Sequence, residues 1–392
     1  MKLITANAVY HKRVLVRVDF NVSFDEQGKI LDDFRIQKIL PTLKFLQEQE
    51  ADKIILLSHL GRPQPEDRNK SDFSLQKVAS YLEKLLGQKV YFSATPIGNA
   101  LKQEIAKLPA RSFILLENLR FYPEEEKNEV EFAKKLSDLG DIFINEAFSV
   151  SHRFSASLCG VPKFLPSYAG FLLQAEIEAL DKIKKVDSNQ LVVVMGGAKI
   201  KDKLPLIQSF LEWARFVLIG GALANTIIKA WDFEVGLSLV EEEMIKEAQN
   251  IGSQKAELVL PGDYRVLTKD HKIATRALGE VFKSDTILDL GPISSRTFAK
   301  FLSKAHAIFW NGPMGKIEDK RFREGTKAVL EAILSNNKAQ TVIGGGDTLA
   351  SLKLIKPGYQ IQDTKLRFFS TGGGALLEYL SGQTLPGIKA LN

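Results

Sequence analysis

One cysteine, Cys159, stands alone among 392 residues. An intramolecular disulfide and every Cys-pair metal site are thereby excluded, and a reducing compartment is implied. No apolar stretch approaches the ~20 residues that span a bilayer. The opening segment passes from a short apolar run into His11, Lys12 and Arg13 without a small-residue cleavage site, unlike a signal peptide. The expectation is a cytoplasmic protein with no membrane partner. Neither G-x-x-x-x-G-K-[ST] nor G-x-G-x-x-G follows any apolar run, which disfavours P-loop and Rossmann cofactor sites. No fixed-period repeat or low-complexity tract points to a solenoid or propeller. Charge of one sign is also scarce in excess: the formal net charge is only +6. That balance admits nucleic acid, an acidic surface or small anions, and the placement of the cations must decide.

A chain of this length exceeds one core, which stops growing near ~250–300 residues, so two domains are expected. With 45% hydrophobic and 26% charged residues the composition is that of a folded protein. Apolar runs recur at residues 14–18, 54–57, 113–116 and 142–144, then at 191–195, 216–219, 258–260, 305–310, 341–343 and 368–370, with helical periodicity between them. Such alternation predicts βαβ units. The fold class expected is therefore α/β, with two doubly wound parallel-sheet lobes joined by a helix. Pro162 and Pro166 keep one segment extended before an amphipathic stretch from about Gly170 to Lys185, read as the connector. The boundaries expected are 1–165 for the first lobe, 166–185 for the connecting helix and 186–377 for the second lobe.

In open parallel sheets, ligands bind beyond the carboxyl ends of the strands, so the residues there carry the functional information. The first four runs lead into Asp19 and Asn21, into His59 and Arg62, into Arg120, and into His152 and Arg153; Arg35 joins them from the following segment. A single arginine after a strand is ordinarily a solvated surface cation. A cation after most strands of one half is an anion site, because guanidinium forks match phosphate and carboxylate oxygens. For His59 and His152 a hydrogen-bonded loop histidine is an equal alternative.

The second half places glycine at the same points: Gly196-Gly197-Ala198-Lys199, Gly220-Gly221, Asn311-Gly312-Pro313, Gly344-Gly345-Gly346-Asp347-Thr348 and Gly372-Gly373-Gly374. Glycine there lets main-chain N–H groups approach phosphates closely, and five such turns predict a nucleotide across the rim. Lys199 and Lys203 are expected at i, i+4 on a helix opening after Gly197, aimed at those phosphates. Asp347 has two readings, a helix N-cap or a Mg²⁺ contact beside the phosphates.

These segments together resemble the phosphoglycerate kinase family over essentially the whole chain. The resemblance is carried by RVDFNV at 17–22, SHLGRP at 58–63, ENLRF at 117–121, GGAKIKDK at 196–203, WNGPMG at 310–315, GGGD at 344–347, STGGGALLE at 370–378 and LPG at 385–387. It implies two lobes with a C-terminal segment, residues 378–392, returning to the first. It also implies reversible phosphoryl transfer between 1,3-bisphosphoglycerate with ADP and 3-phosphoglycerate with ATP, with Mg²⁺ on the nucleotide. By motif, Asp19, Asn21, Arg35, His59, Arg62, Arg120, His152 and Arg153 would hold the phosphoglycerate. Gly197, Lys199, Lys203, Gly220, Gly221, Asn311, Gly344, Gly345, Gly346, Asp347 and Thr348 would hold the nucleotide, Glu318 its ribose, and Leu239 and Pro313 its base. Arg35 and Lys199 would stabilise the transferring group, and Asp347 would face the metal. The partners implied are small molecules alone, met by a monomer without nucleic acid, whose lobes close on a hinge.

The chain departs from the usual N-D-A-F-G-T-A-H-R of the fourth loop at Glu146, Ser149, Val150 and Ser151, and carries Lys316, Ile317 and Ile287 around the expected base site. Two rivals stand beside the resemblance. Another acyl-phosphate-forming kinase would keep the glycine turns without needing six converging cations. A non-catalytic anion or RNA binder would use the basic rim, but lacks the interleaved aromatics of a single-strand platform.

Overall fold

Most strands form where aliphatic and β-branched residues run uninterrupted. In the first part of the chain these are β1 (Arg13–Arg17), β2 (Lys53–Leu57), β3 (Val90–Ser93), β4 (Ser112–Leu116), β5 (Ile142–Asn145) and β6 (Ser167–Ala169). They make one six-stranded sheet in the order β3-β4-β2-β1-β5-β6, with every pairing parallel. One face of that sheet, with Val14, Val16, Ile54, Leu56, Phe113 and Leu115, packs under Ile36, Ile39 and Leu43 of helix Phe34–Glu48 and Val78 and Leu82 of helix Gln76–Leu86. Leu15, Ile55, Ile114 and Phe143, on the alternate positions, are buried as well. Burial on both faces is what a helix-covered parallel sheet requires, and each such side chain contributes roughly 1.5–3 kcal/mol.

The computed structural model describes residues 1–392 apart from 65, 66, 68–70, 202, 253 and 254. It divides into two compact units, Met1–Ile177 with Gln383–Asn392, and Glu178–Gly382. The second unit carries β7 (Leu191–Met195), β8 (Phe216–Ile219), β9 (Glu257–Val259), β10 (Asp263–Leu267), β11 (Ile273–Ala277), β12 (Thr286–Leu290), β13 (Ala307–Asn311), β14 (Gln340–Gly344) and β15 (Arg367–Ser370). Six of these form a parallel sheet in the order β15-β14-β13-β7-β8-β9, and β11-β10-β12 form a separate antiparallel sheet. No helix among the described residues is long and apolar enough to cross a membrane.

Three local expectations need correction. Residues 167–169, placed in the connecting segment, pair with β5 as β6, and the helix runs from Phe171 to Lys184. Lys199 does not stand on a helix. Residues 198–203 are irregular where described, and the next helix is Leu204–Trp213, with Lys203 at its N-cap. Pro205 explains that start, since proline lacks the N–H that a first-turn residue would leave unpaired. Asp347 is not an N-cap: Gly345 holds that position of helix Gly346–Ile355, which leaves Asp347 in the first turn.

Candidate active site

In the first unit β1, β2 and β5 end level, with Arg17 paired to both Leu57 and Asn145. The loops that follow therefore leave one edge of the sheet together. Asp19 is the centre of what they build. Its Oδ2 meets Arg35 Nη1 at 3.0 Å and its Oδ1 lies 3.9 Å from His59 Nε2. Asn21 N–H donates to Asp19 Oδ1 at 2.9 Å, and Ser149 Oγ donates to Asp19 Oδ2. Burial pushes the Asp19 carboxyl up, but Arg35, His59 and these donors outweigh it and hold the group well below the usual carboxylate range. Asp19 is thus a fixed anion that aims Arg35, whose Nη1 also donates to Asn21 O at 3.1 Å. Asn21 Oδ1 in turn accepts from Gly61 N–H at 2.9 Å, tying two loops together.

His59 is 3% exposed, and desolvation, reinforced by Arg17, Arg120 and Arg35 against the pull of Asp19, drives its pKa well down. It is neutral at physiological pH. Arg120 donates from Nη1 to Gly61 O, and burial, then Arg153, Arg17 and Arg62, lower it to about 10. Arg62 is exposed. His152 Nδ1, Arg153 Nε and Ser155 Oγ are buried without a hydrogen-bond partner. Cations close enough to lower Arg120, beside buried polar atoms without partners, are held at a cost that an anionic ligand would relieve.

Sequence reasoning missed Arg17. It is 4% exposed, donates from Nε to Ser157 Oγ at 2.9 Å and lies 3.3 Å from His59 Nδ1 through Nη2. The signal was available: a charge inside the otherwise apolar run 14–18. The departures in the fourth loop also find their places. Ser149 binds Asp19. Glu146, fully buried, accepts from Leu172 N–H at 3.1 Å and Leu173 N–H at 2.9 Å at the start of helix Phe171–Lys184, and from Thr42 Oγ1. Gly170 makes room for this longer acid, since a Cβ there would lie 2.1 Å from the Glu146 carboxyl carbon.

In the second unit, Met195, Ile219, Asn311 and Gly344 end their strands in register. The glycine turns beyond them touch main chain to main chain. A Cβ on Gly312 (φ +92°) would lie 2.2 Å from Gly196 O, and one on Gly221 (φ +64°) 2.7 Å from Gly197 N. Beside these turns opens a cavity of about 660 Å³, whose walls include Gly197, Gly221, Leu239, Pro313, Glu318 and Asp347. Ile287, Lys316 and Ile317 share it. That volume lies within the ~300–1,000 Å³ typical of small-molecule sites.

Other expected residues are engaged in holding the turns together. Lys203 Nζ donates to Gly196 O. Asn311 Nδ2 donates to Gly344 O at 2.8 Å, while Thr348 Oγ1 accepts from Gly312 N–H at 2.7 Å and donates to Gly344 O at 2.8 Å. Gly345 (φ +100°) leaves the space that Asn311 Nδ2 fills. Gly220 sits against Met314, and Gly346 opens the helix on which Asp347 stands. Lys199 is exposed.

Asp289 is a second residue that sequence reasoning missed. It is 2% exposed, lines the cavity, and accepts from Leu290 and Gly325 N–H, each at 2.9 Å. Desolvation raises it to about 7 against those hydrogen bonds.

Two parallel-sheet units, one with a guanidinium-rich rim and the other with a cavity beside glycine turns, make an α/β protein of two lobes, and its relatives place it among the kinases. A family model described as phosphoglycerate kinase matches residues 4–383. The phosphoglycerate kinase of Coprothermobacter proteolyticus is 42% identical over 389 residues, covering 98% of this chain and 96% of the relative. That of Herpetosiphon aurantiacus is 41% identical, covering 97% and 96%. Among solved structures, phosphoglycerate kinase from Pyrococcus horikoshii OT3 superposes with a TM-score of 0.85 at 31% identity, covering 100% of this chain and 98% of that one. The enzyme from Coxiella burnetii gives 0.82 at 37% identity, with 98% and 96% covered. The chain belongs to the phosphoglycerate kinase family.

Proposed function

We propose that this chain catalyses reversible phosphoryl transfer between 1,3-bisphosphoglycerate with ADP and 3-phosphoglycerate with ATP, as a cytoplasmic monomer. The observation that carries the reading is the Asp19-fixed Arg35 beside the neutral His59 and the unpartnered His152 Nδ1 and Arg153 Nε. An acid bearing both a phosphate and a carboxylate would satisfy such a cradle. We assign Asp19, Asn21, Arg35, His59, Arg62, Arg120, His152 and Arg153 to it, with Arg17 as a buried cation behind them. The cavity of the second unit is assigned to the nucleotide: Leu239 and Pro313 at the base, Glu318 at the ribose, and Lys199, Lys203 and the glycine turns at the phosphates.

The chemistry asks little of the protein beyond placement. In the ATP-consuming direction the nucleophile is a carboxylate, whose pKa near ~4 leaves it ionised without a general base. A neutral His59 agrees with that. Arg35 and Lys199 would stabilise the charge on the transferring group. Among the described residues no group of three or more His, Cys, Asp or Glu side chains could hold a metal by itself. Mg²⁺ carried by the nucleotide phosphates needs only one or two protein carboxylates, and Asp347, on the cavity wall in the first turn of its helix, fits that part. When bound, Mg²⁺ would neutralise developing phosphate charge. A coupled assay with 3-phosphoglycerate, ATP and Mg²⁺ tests the function directly. A folded preparation without turnover would refute it.

A further inference from the structure

Leu239, on the cavity wall, is 59% exposed and so stands to be covered by a bound base. The main chain around it is pinned to helix Gly221–Ala230. Asn225 Nδ2 donates to Leu239 O at 3.3 Å, and Thr226 Oγ1 accepts from Glu241 N–H at 3.1 Å. Both residues of that pin are buried, at 1% and 0% exposure. From the same segment the Glu241 carboxylate reaches the lysine-bearing loop, where Oε2 accepts from Lys201 N–H at 3.0 Å. Among the described residues of that loop Ile200 is buried, while Lys199 and Lys201 are exposed. A more exposed pair, Lys201 Nζ with Glu243 Oε1 at 3.6 Å, runs alongside, with both side chains more than two-thirds exposed. An ion pair so exposed holds little.

We infer that Glu241 is a positioning residue that relays occupancy of the base wall to the loop carrying Lys199 and Lys203. Covering Leu239 adds contacts to a segment already tied to helix Gly221–Ala230, and the Glu241 carboxylate passes that added order to the Lys201 amide and with it to the loop that meets the phosphates. The inference rests on assigning Leu239 to the base and the two lysines to the phosphates. It adds that base binding prepares the phosphate end before any phosphate is touched.

Adenosine separates the two, because without phosphates it cannot contact the lysines. In the full chain, hydrogen exchange read by mass spectrometry should show adenosine slowing amides at 237–241 and at 199–203 together. In Glu241→Ala the first protection remains and the second falls about fivefold, the worth of one hydrogen bond of ~1 kcal/mol. Glu241→Gln, which still presents an oxygen to Lys201 N–H, restores the relay. Glu241→Asp, shorter by one methylene at unchanged charge, should lose it and provides a second cut if the alanine variant folds poorly. Steady-state kinetics should follow, with a comparable fall in kcat while the Michaelis constant for the phosphoglycerate substrate stays unchanged. Protection of 199–203 that persists in Glu241→Ala, or that adenosine never induces in the parent while it protects 237–241, would overturn the relay and leave the proposed function standing. Protection of neither segment at saturating adenosine would remove the base-site assignment and the relay together.

Discussion

Glu146 is a carboxyl that burial and hydrogen bonding pull in opposite directions. Two helix N–H groups and Thr42 favour its ionised form, but complete desolvation wins and raises it from 4.5 to about 7. Between those pH values the unfolded chain has released a proton that the folded chain retains, so stability falls as pH rises. The rise of ~2.5 pKa units corresponds to about 3 kcal/mol, at ~1.4 kcal/mol each, fully lost above pH ~7. Glu146→Gln keeps the size and one acceptor oxygen but cannot titrate. The stability of the parent minus that of Glu146→Gln should therefore decline by about 3 kcal/mol between pH 4.5 and 8. Urea unfolding by far-UV circular dichroism is the appropriate assay. Trp213, Trp231 and Trp310 all lie in the second unit and would report on the wrong sheet. A difference that stays constant across that range would mean that Glu146 is ionised throughout and that its donors, not desolvation, decide.

Arg35→Lys should lower kcat by about 10²-fold, as when one preorganised donor to developing charge is removed. The arginine has Nη1 engaged by Asp19 and Asn21 and other donors to spare, which an ammonium lacks; an unchanged kcat in the coupled assay would remove Arg35 from the reaction. Asp347→Ala should reduce Mg²⁺-dependent turnover while leaving the titrated affinity for 3-phosphoglycerate within about twofold, and equal loss of both would mark a structural role. Gly312→Ala should cost about 3 kcal/mol in urea unfolding followed by tryptophan fluorescence, since a positive φ and main-chain contact combine. A cost under about 0.5 kcal/mol, an ordinary surface value, would contradict the contact.

Most strands that could be read from sequence are buried on both faces, because continuous apolar runs are their signature; the edge strands β9 and β15 were read from shorter runs. The antiparallel sheet escaped for the complementary reason. β11 leaves Ile273, Thr275 and Ala277 exposed and its other positions half-buried, so it contains no apolar run at all. β3 and β6 are short edge strands whose polar ends hide them. At the site, Arg17 and Asp289 were missed because each is flanked on both sides by aliphatic residues and reads as part of an apolar strand. Their environment comes from neighbours distant in the chain, Ser157 and His59 for the first and Gly325 for the second. The lysine loop was misread because i, i+4 spacing says nothing about whether a helix has begun; Pro205 held that information.

The meeting of Gly196, Gly221 and Gly312 constrains how this protein can change over generations. Each of those turns is shaped by the main chain of another, with Pro313 O also within 3.0 Å of a Cβ on Gly221. A side chain added to one turn displaces its neighbour, so no single substitution can explore a new shape there. Elsewhere the cavity is lined by side chains, among them Leu237, Leu239, Ile287, Lys316 and Ile317. A change of shape at the glycine end therefore requires two turns to change together, whereas the side-chain lining can be altered one residue at a time.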